Sequence, residues 1–121
     1  MGDELTEKII GAAIEVHRIL GPGLLESIYE EALCHELQLR GVSAERQVAV
    51  DVTYKGLVIK GQRVDLIADN SVIIELKSIA RLPEVALAQT LSYLKATGIH
   101  RALLINFGEQ LLKNGIKRIS L

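Results

Sequence analysis

Six residues constrain this chain more than any others: Val72-Ile73-Ile74-Glu75-Leu76-Lys77. A β-branched, aliphatic run of this length reads as a buried strand. It ends with an acid and a base on alternate positions. Successive strand side chains point to opposite faces, so Glu75 and Lys77 share one face and Leu76 takes the other. The preceding stretch, Arg63 to Ala68, carries Asp65 among apolar neighbours, and Asp69-Asn70 reads as a turn between the two strands. Paired as a hairpin, they bring Asp65 near Glu75. Two carboxylates and one ammonium then lie at the edge of an oily sheet. Desolvating such groups is costly unless a partner or a metal ion compensates them.

The rest of the chain fits a small α/β (α+β) protein. Its 121 residues are 49% hydrophobic but only 3% aromatic. That length suits one domain, spanning 1–121, with one core built on Ile, Val and Leu. No apolar run approaches ~20 residues, so no membrane span is expected. The N-terminal MGDELTEKII is acidic and amphipathic, unlike a signal peptide. Gly2 and Thr6 match the short myristoylation pattern M-G-x-x-x-[ST], which chance explains better. The single cysteine, Cys34, excludes an internal disulfide and points to a reduced, cytoplasmic setting. Cys34 reads as a small buried helix residue. His17, His35 and His100 are scattered and lack zinc spacing. A net charge of −1 gives no basic surplus for gripping duplex DNA. A nucleic-acid substrate must then rest on a local site, a protein partner or a homodimer.

Read in order, residues 5–20 form an amphipathic helix with Leu5, Ile9, Ala13, Val16 and Leu20 on one stripe. His17 lies on the shoulder of that stripe, as a boundary residue or as a metal or phosphate contact. Gly21-Pro22-Gly23 ends it, and a second helix is expected over about 24–39, with Leu24, Leu25, Ile28, Ala32 and Leu39 as its main apolar face. Glu26 and Tyr29 are neighbours on that helix, and Leu33 continues their row, which puts Glu26 beside buried surface. From Ala44 the period changes to two, and Lys55-Gly56 turns the chain into Leu57-Val58-Ile59, giving an antiparallel meander. A third helix starts at Leu82-Pro83-Glu84 and closes at Gly98, with Gln89 and Tyr93 four apart on one face. Residues 101–107 read as a buried strand, 110–113 as a short helix or strand, Asn114-Gly115 as a turn, and 116–121 as a final edge strand.

Hydrolysis of a phosphodiester needs a divalent ion to polarise the phosphate and lower the pKa of a water, held by hard oxygen ligands. It also needs a cation to orient the attack and offset developing charge. Asp65, Glu75 and Lys77 offer those groups, and the carbonyl of Leu76 lies between the last two. A lone E-x-K would read as an ordinary surface pair. Here an acid precedes it, an aliphatic run leads into it, and a helix bearing Gln89 and Tyr93 follows.

The combination Asp65-x9-Glu75-Leu76-Lys77 resembles the signature of the PD-(D/E)xK, or restriction-endonuclease-like, nuclease superfamily. Gln89-x3-Tyr93 looks like the Q-x3-Y element of several of its branches, and Gly23-x-x-Glu26-x-x-Tyr29 matches the motif that names the GxxExxY family. Val64 replaces the literal Pro. The resemblance spans nearly the whole chain. It implies a core of helix, three strands, helix and strand: two N-terminal helices, a mixed central sheet, one helix after the E-x-K strand, and C-terminal strands. It also implies a Mg2+- or Mn2+-dependent endo- or exonuclease acting on DNA or RNA. Asp65 and Glu75 would ligate the metal, Lys77 would position or activate water, and Glu26 would join directly or through a metal-bound water. Gln89 and Tyr93 would brace the site or touch phosphate, and His17 would be an extra ligand. The alternatives are a catalytically silent module of the same fold that binds nucleic acid or protein, and a small structural protein with surface ion pairs.

Overall fold

The computed structural model describes residues 3–121; Gly2 of the myristoylation pattern lies outside them. The order of elements is α1 (Asp3–Leu20), α2 (Glu26–Leu39), β1 (Ala44–Tyr54), β2 (Leu57–Ala68), β3 (Val72–Lys77), α3 (Glu84–Thr97), β4 (Arg101–Asn106), a 3-10 turn (Leu112–Gly115) and β5 (Ile116–Ser120). The strands form one five-stranded sheet in sequential order. The first three pair antiparallel, β3 pairs parallel with β4, and β5 returns antiparallel on the far edge. A parallel neighbour needs a crossover, and α3 supplies it. This mixed sheet with three helices is the restriction-endonuclease-like arrangement expected from the sequence.

The sheet has a core on each face. On one, Ile9, Ala12, Ala13 and Val16 of α1 and Tyr29, Leu33 and Leu37 of α2 pack on Leu66, Ile74, Leu76 and Leu103. On the other, Tyr93 and Leu94 of α3 pack with Val64, Ile73 and Leu104. Ile73 faces one core while Ile74 and Leu76 face the other, which explains why β3 is apolar on both faces up to Glu75. No helix among the described residues is long and apolar enough to cross a membrane.

Several local expectations need correction. α2 begins at Glu26, later than the expected start near 24. The Tyr29 hydroxyl donates to the Gly21 carbonyl and accepts from the Leu24 amide, which holds residues 21–24 as a loop. The buried face of α2 is Tyr29, Glu30, Leu33, Cys34 and Leu37. Leu25, Ile28 and Leu39, assigned to the apolar face, are exposed, as is Leu20 at the end of α1. Residues 57–68 form one strand interrupted by a bulge, since the register passes from Val50–Gln62 to Val52–Ile59. Gly61, at φ 124°, supplies the backbone geometry there. The turn at Asp69-Asn70 is as expected, with φ of 48° and 54°, a region in which Asx residues are enriched.

Candidate active site at the splayed β2–β3 junction

The β2–β3 ladder pairs Ala68 with Val72, Ile67 with Ile73 and Leu66 with Ile74. At the next position the acids take over. The Asp65 amide donates to Glu75 Oε1 at 2.8 Å, and the Leu76 amide donates to Asp65 Oδ2 at 2.8 Å. Each carboxylate therefore satisfies a backbone N–H of the opposite strand. The alternation of β2 also breaks here: Val64 packs in the α3-side core, whereas Leu66 packs in the α1–α2 core. Asp65 falls at this break, which aims its carboxylate along the sheet toward β3.

The electrostatics follow from burial. Glu75 is only 6% exposed. Desolvation, and next the charge of Asp65, push its carboxyl up to about 7, although the Asp65 amide and Lys77 act the other way. Burial is also the main cause raising Asp65, followed by the charges of Glu30 and Glu26 and opposed by the Leu76 amide and Gln47. Buried Tyr93 is raised by desolvation, then by the charges of Glu75 and Asp65, so the α3 ring lies within the electrostatic reach of the acids. Lys77 is half-buried and its charge favours ionised Glu75.

Each acid keeps one oxygen with no short bond: among the described residues, Asp65 Oδ1 has one long contact, 3.4 Å to Gln47 Nε2, and Glu75 Oε2 takes no hydrogen bond. The donors are hard carboxylate oxygens, which suit magnesium or manganese. Among the described residues, no three His, Cys, Asp or Glu side chains gather as a metal-binding group. A cation here would draw on two carboxylates, a backbone carbonyl and water, the open shell that magnesium favours.

A model of the PD-(D/E)XK nuclease superfamily matches residues 3–119. The chain belongs to this superfamily. The PD-(D/E)XK chain is also similar in fold to the crystal structure of SSO0001, with a TM-score of 0.61 and 24% identity over 78% of this chain. It spans 48% of the SSO0001 chain. No functionally curated protein matches it.

The remaining residues expected in a PD-(D/E)XK site divide into those near the acids and those apart from them. Glu26 opens α2 and is itself exposed, although Tyr29 and Leu33 of its helical row are buried, and its charge acts on both Asp65 and Glu75. A cleft of about 480 Å³ beside it is lined by Gly23, Leu24, Leu25, Ser27 and Ser78, the residue after Lys77. The exposed Gln89 side chain makes no hydrogen bond among the described residues, and of the Q-x3-Y pair Tyr93 is the one that feels the charge of the acids. His17 stands elsewhere: its Nε2 meets the Glu109 carbonyl at 2.8 Å and its ring packs beside Phe107.

Three neighbours escaped the sequence reading. Glu30, one turn below Glu26, is only 6% exposed. Arg46 Nε donates to its Oε2 at 3.1 Å, and Gln47 Nε2 donates to its Oε1 at 2.6 Å. The i, i+4 spacing of Glu26 and Glu30 was the available signal. Nothing in the alternation of β1 singled out Arg46 or Gln47.

Proposed function

We propose that residues 1–121 form one nuclease domain that hydrolyses phosphodiester bonds of DNA or RNA with Mg2+ or Mn2+. The observation that carries this reading is the pair of cross-strand amide–carboxylate bonds, from the Asp65 amide to Glu75 and from the Leu76 amide to Asp65. It fixes two acids side by side while leaving each an oxygen with no short bond. In this reading Asp65, Glu75 and the Leu76 carbonyl hold the cation, and Glu26 joins through water. When bound, the cation supplies Lewis acidity and charge neutralisation at the phosphate.

The protein's own groups do the rest. Lys77, on the same strand face as Glu75, orients water against phosphorus and offsets charge developing on the phosphate oxygens. Tyr93 braces the acids from α3 and, with Gln89, approaches the phosphate. His17 is a peripheral member of this proposal. Gly23, Glu26 and Tyr29 support placing the chain in the GxxExxY branch, since Tyr29 stacks on Phe107 at 4.3 Å and pins the loop that contains Gly23. A cytoplasmic protein, working as a homodimer or with a partner, fits the near-neutral charge.

The test is cleavage of single-stranded DNA, duplex DNA and RNA with added Mn2+, beside Lys77→Ala. The variant should lose at least a hundredfold in rate and melt like the parent. Equal cleavage by both proteins would assign the activity to something other than this site. No cleavage of any substrate by the parent would favour a silent binding module.

A further inference from the structure

We infer that Gln47 is a positioning residue that sets Asp65 for cation binding by bridging it to the buried Glu30; this rests on the metal-dependent reading above. The pairing of β1 with β2 runs from Arg46–Leu66 to Val48–Val64, so Gln47 stands opposite Asp65. There its backbone has φ 52°, inside a strand and without glycine. Side-chain residues rarely adopt that conformation, and where they do it often marks a functional constraint.

The conformation serves the side chain. One amide group donates to Glu30 Oε1 at 2.6 Å and reaches Asp65 Oδ1 at 3.4 Å. Glu30 is held from its other side by Arg46, so the short bond anchors the amide and the long one bears on Asp65. The Gln47 carbonyl is fixed in turn by Arg63 Nη1 at 3.1 Å. Asp65 is thus gripped at Oδ2 by the Leu76 amide and only lightly steered at Oδ1. An oxygen held that way keeps its direction and remains available to a cation. Groups that orient a ligand without touching the metal commonly contribute ~10–100-fold to its affinity.

Two substitutions separate this role from a structural one. Gln47→Ala and Gln47→Gly both remove the amide, but only alanine keeps the strained backbone. The experiment is Mn2+ titration by calorimetry of the full chain and both variants, with thermal melts alongside. The expected result is a Gly variant that melts above the Ala variant while both bind Mn2+ roughly tenfold more weakly than the parent. Affinity restored in the Gly variant, or unchanged in both, would overturn the inference while leaving the metal site standing. No Mn2+ binding by the parent would overturn the nuclease reading and this inference together.

Discussion

Glu75 shows how one buried acid ties stability to protonation. Its carboxyl titrates at about 7 in the folded chain against an ordinary value of 4.5, chiefly because it is desolvated and next because Asp65 is close. Between those values the folded state holds more protons than the unfolded state, so stability falls as pH rises through the window. The loss amounts to roughly 3 kcal/mol at ~1.4 kcal/mol per unit. The stabilisation is fully present below 4.5 and gone above about 7. Melts in chelator from pH 4 to 8 should therefore decline with pH, and Glu75→Gln should flatten the decline. Parallel curves for the two proteins would contradict it. Asp65 is raised as well and adds to the slope with the same sign. Under the metal-dependent reading, cleavage should run oppositely, rising through neutrality, because a cation would need the ionised pair.

At the scale of elements, the segment after Lys77 is clamped by the end of β4. Asn106, fully buried, donates to the Ile79 carbonyl at 2.9 Å and accepts from the amides of Ile79 and Gly108 at 3.1 and 3.0 Å. A Cβ on Gly108 would meet the Ile79 carbonyl oxygen at 2.1 Å. We expect Gly108→Ala to cost about 2–3 kcal/mol through forced backbone movement, and Asn106→Ala about 2–3 kcal/mol through stranded amides. Urea unfolding checks both; midpoints within error of the parent would refute the clamp. The strands and the order of elements were legible because period-two alternation and turn residues agree at 55–56 and 69–70. The face of α2 was not. Hydrophobicity pointed to Leu25, Ile28 and Leu39, yet Glu30 is buried instead because Arg46 and Gln47 come from β1 to meet it. An acid whose partners lie on another element carries no local mark. For the same reason Asp65, Glu75 and Lys77 could be named from their strand pattern, whereas the Glu30–Gln47 bridge depended on a long-range contact and a left-handed residue inside β1.

For the whole molecule, cation binding and folding should be coupled, since the acids come together only when β2 and β3 are paired. A ligand at about a hundredfold over its Kd stabilises the native state by roughly 2.7 kcal/mol. For a chain of this size that is about 10 °C in Tm. Mn2+ should produce this rise at pH 8 in the parent and not in the Asp65→Asn, Glu75→Gln double variant. An equal rise in both would place the ion elsewhere.

The way the two central strands come apart also dictates how the molecule can be silenced. Asp65 and Glu75 are stoppers as well as acids, each occupying a main-chain hydrogen that would otherwise be left bare in the seam. Trimming either to alanine strands a main-chain amide as well as removing an acid, so loss of activity in such a protein says little. Asparagine and glutamine keep a carbonyl oxygen at the same reach. Under the nuclease reading, they are the replacements that should remove activity from a chain still whole enough to hold a nucleic acid for capture.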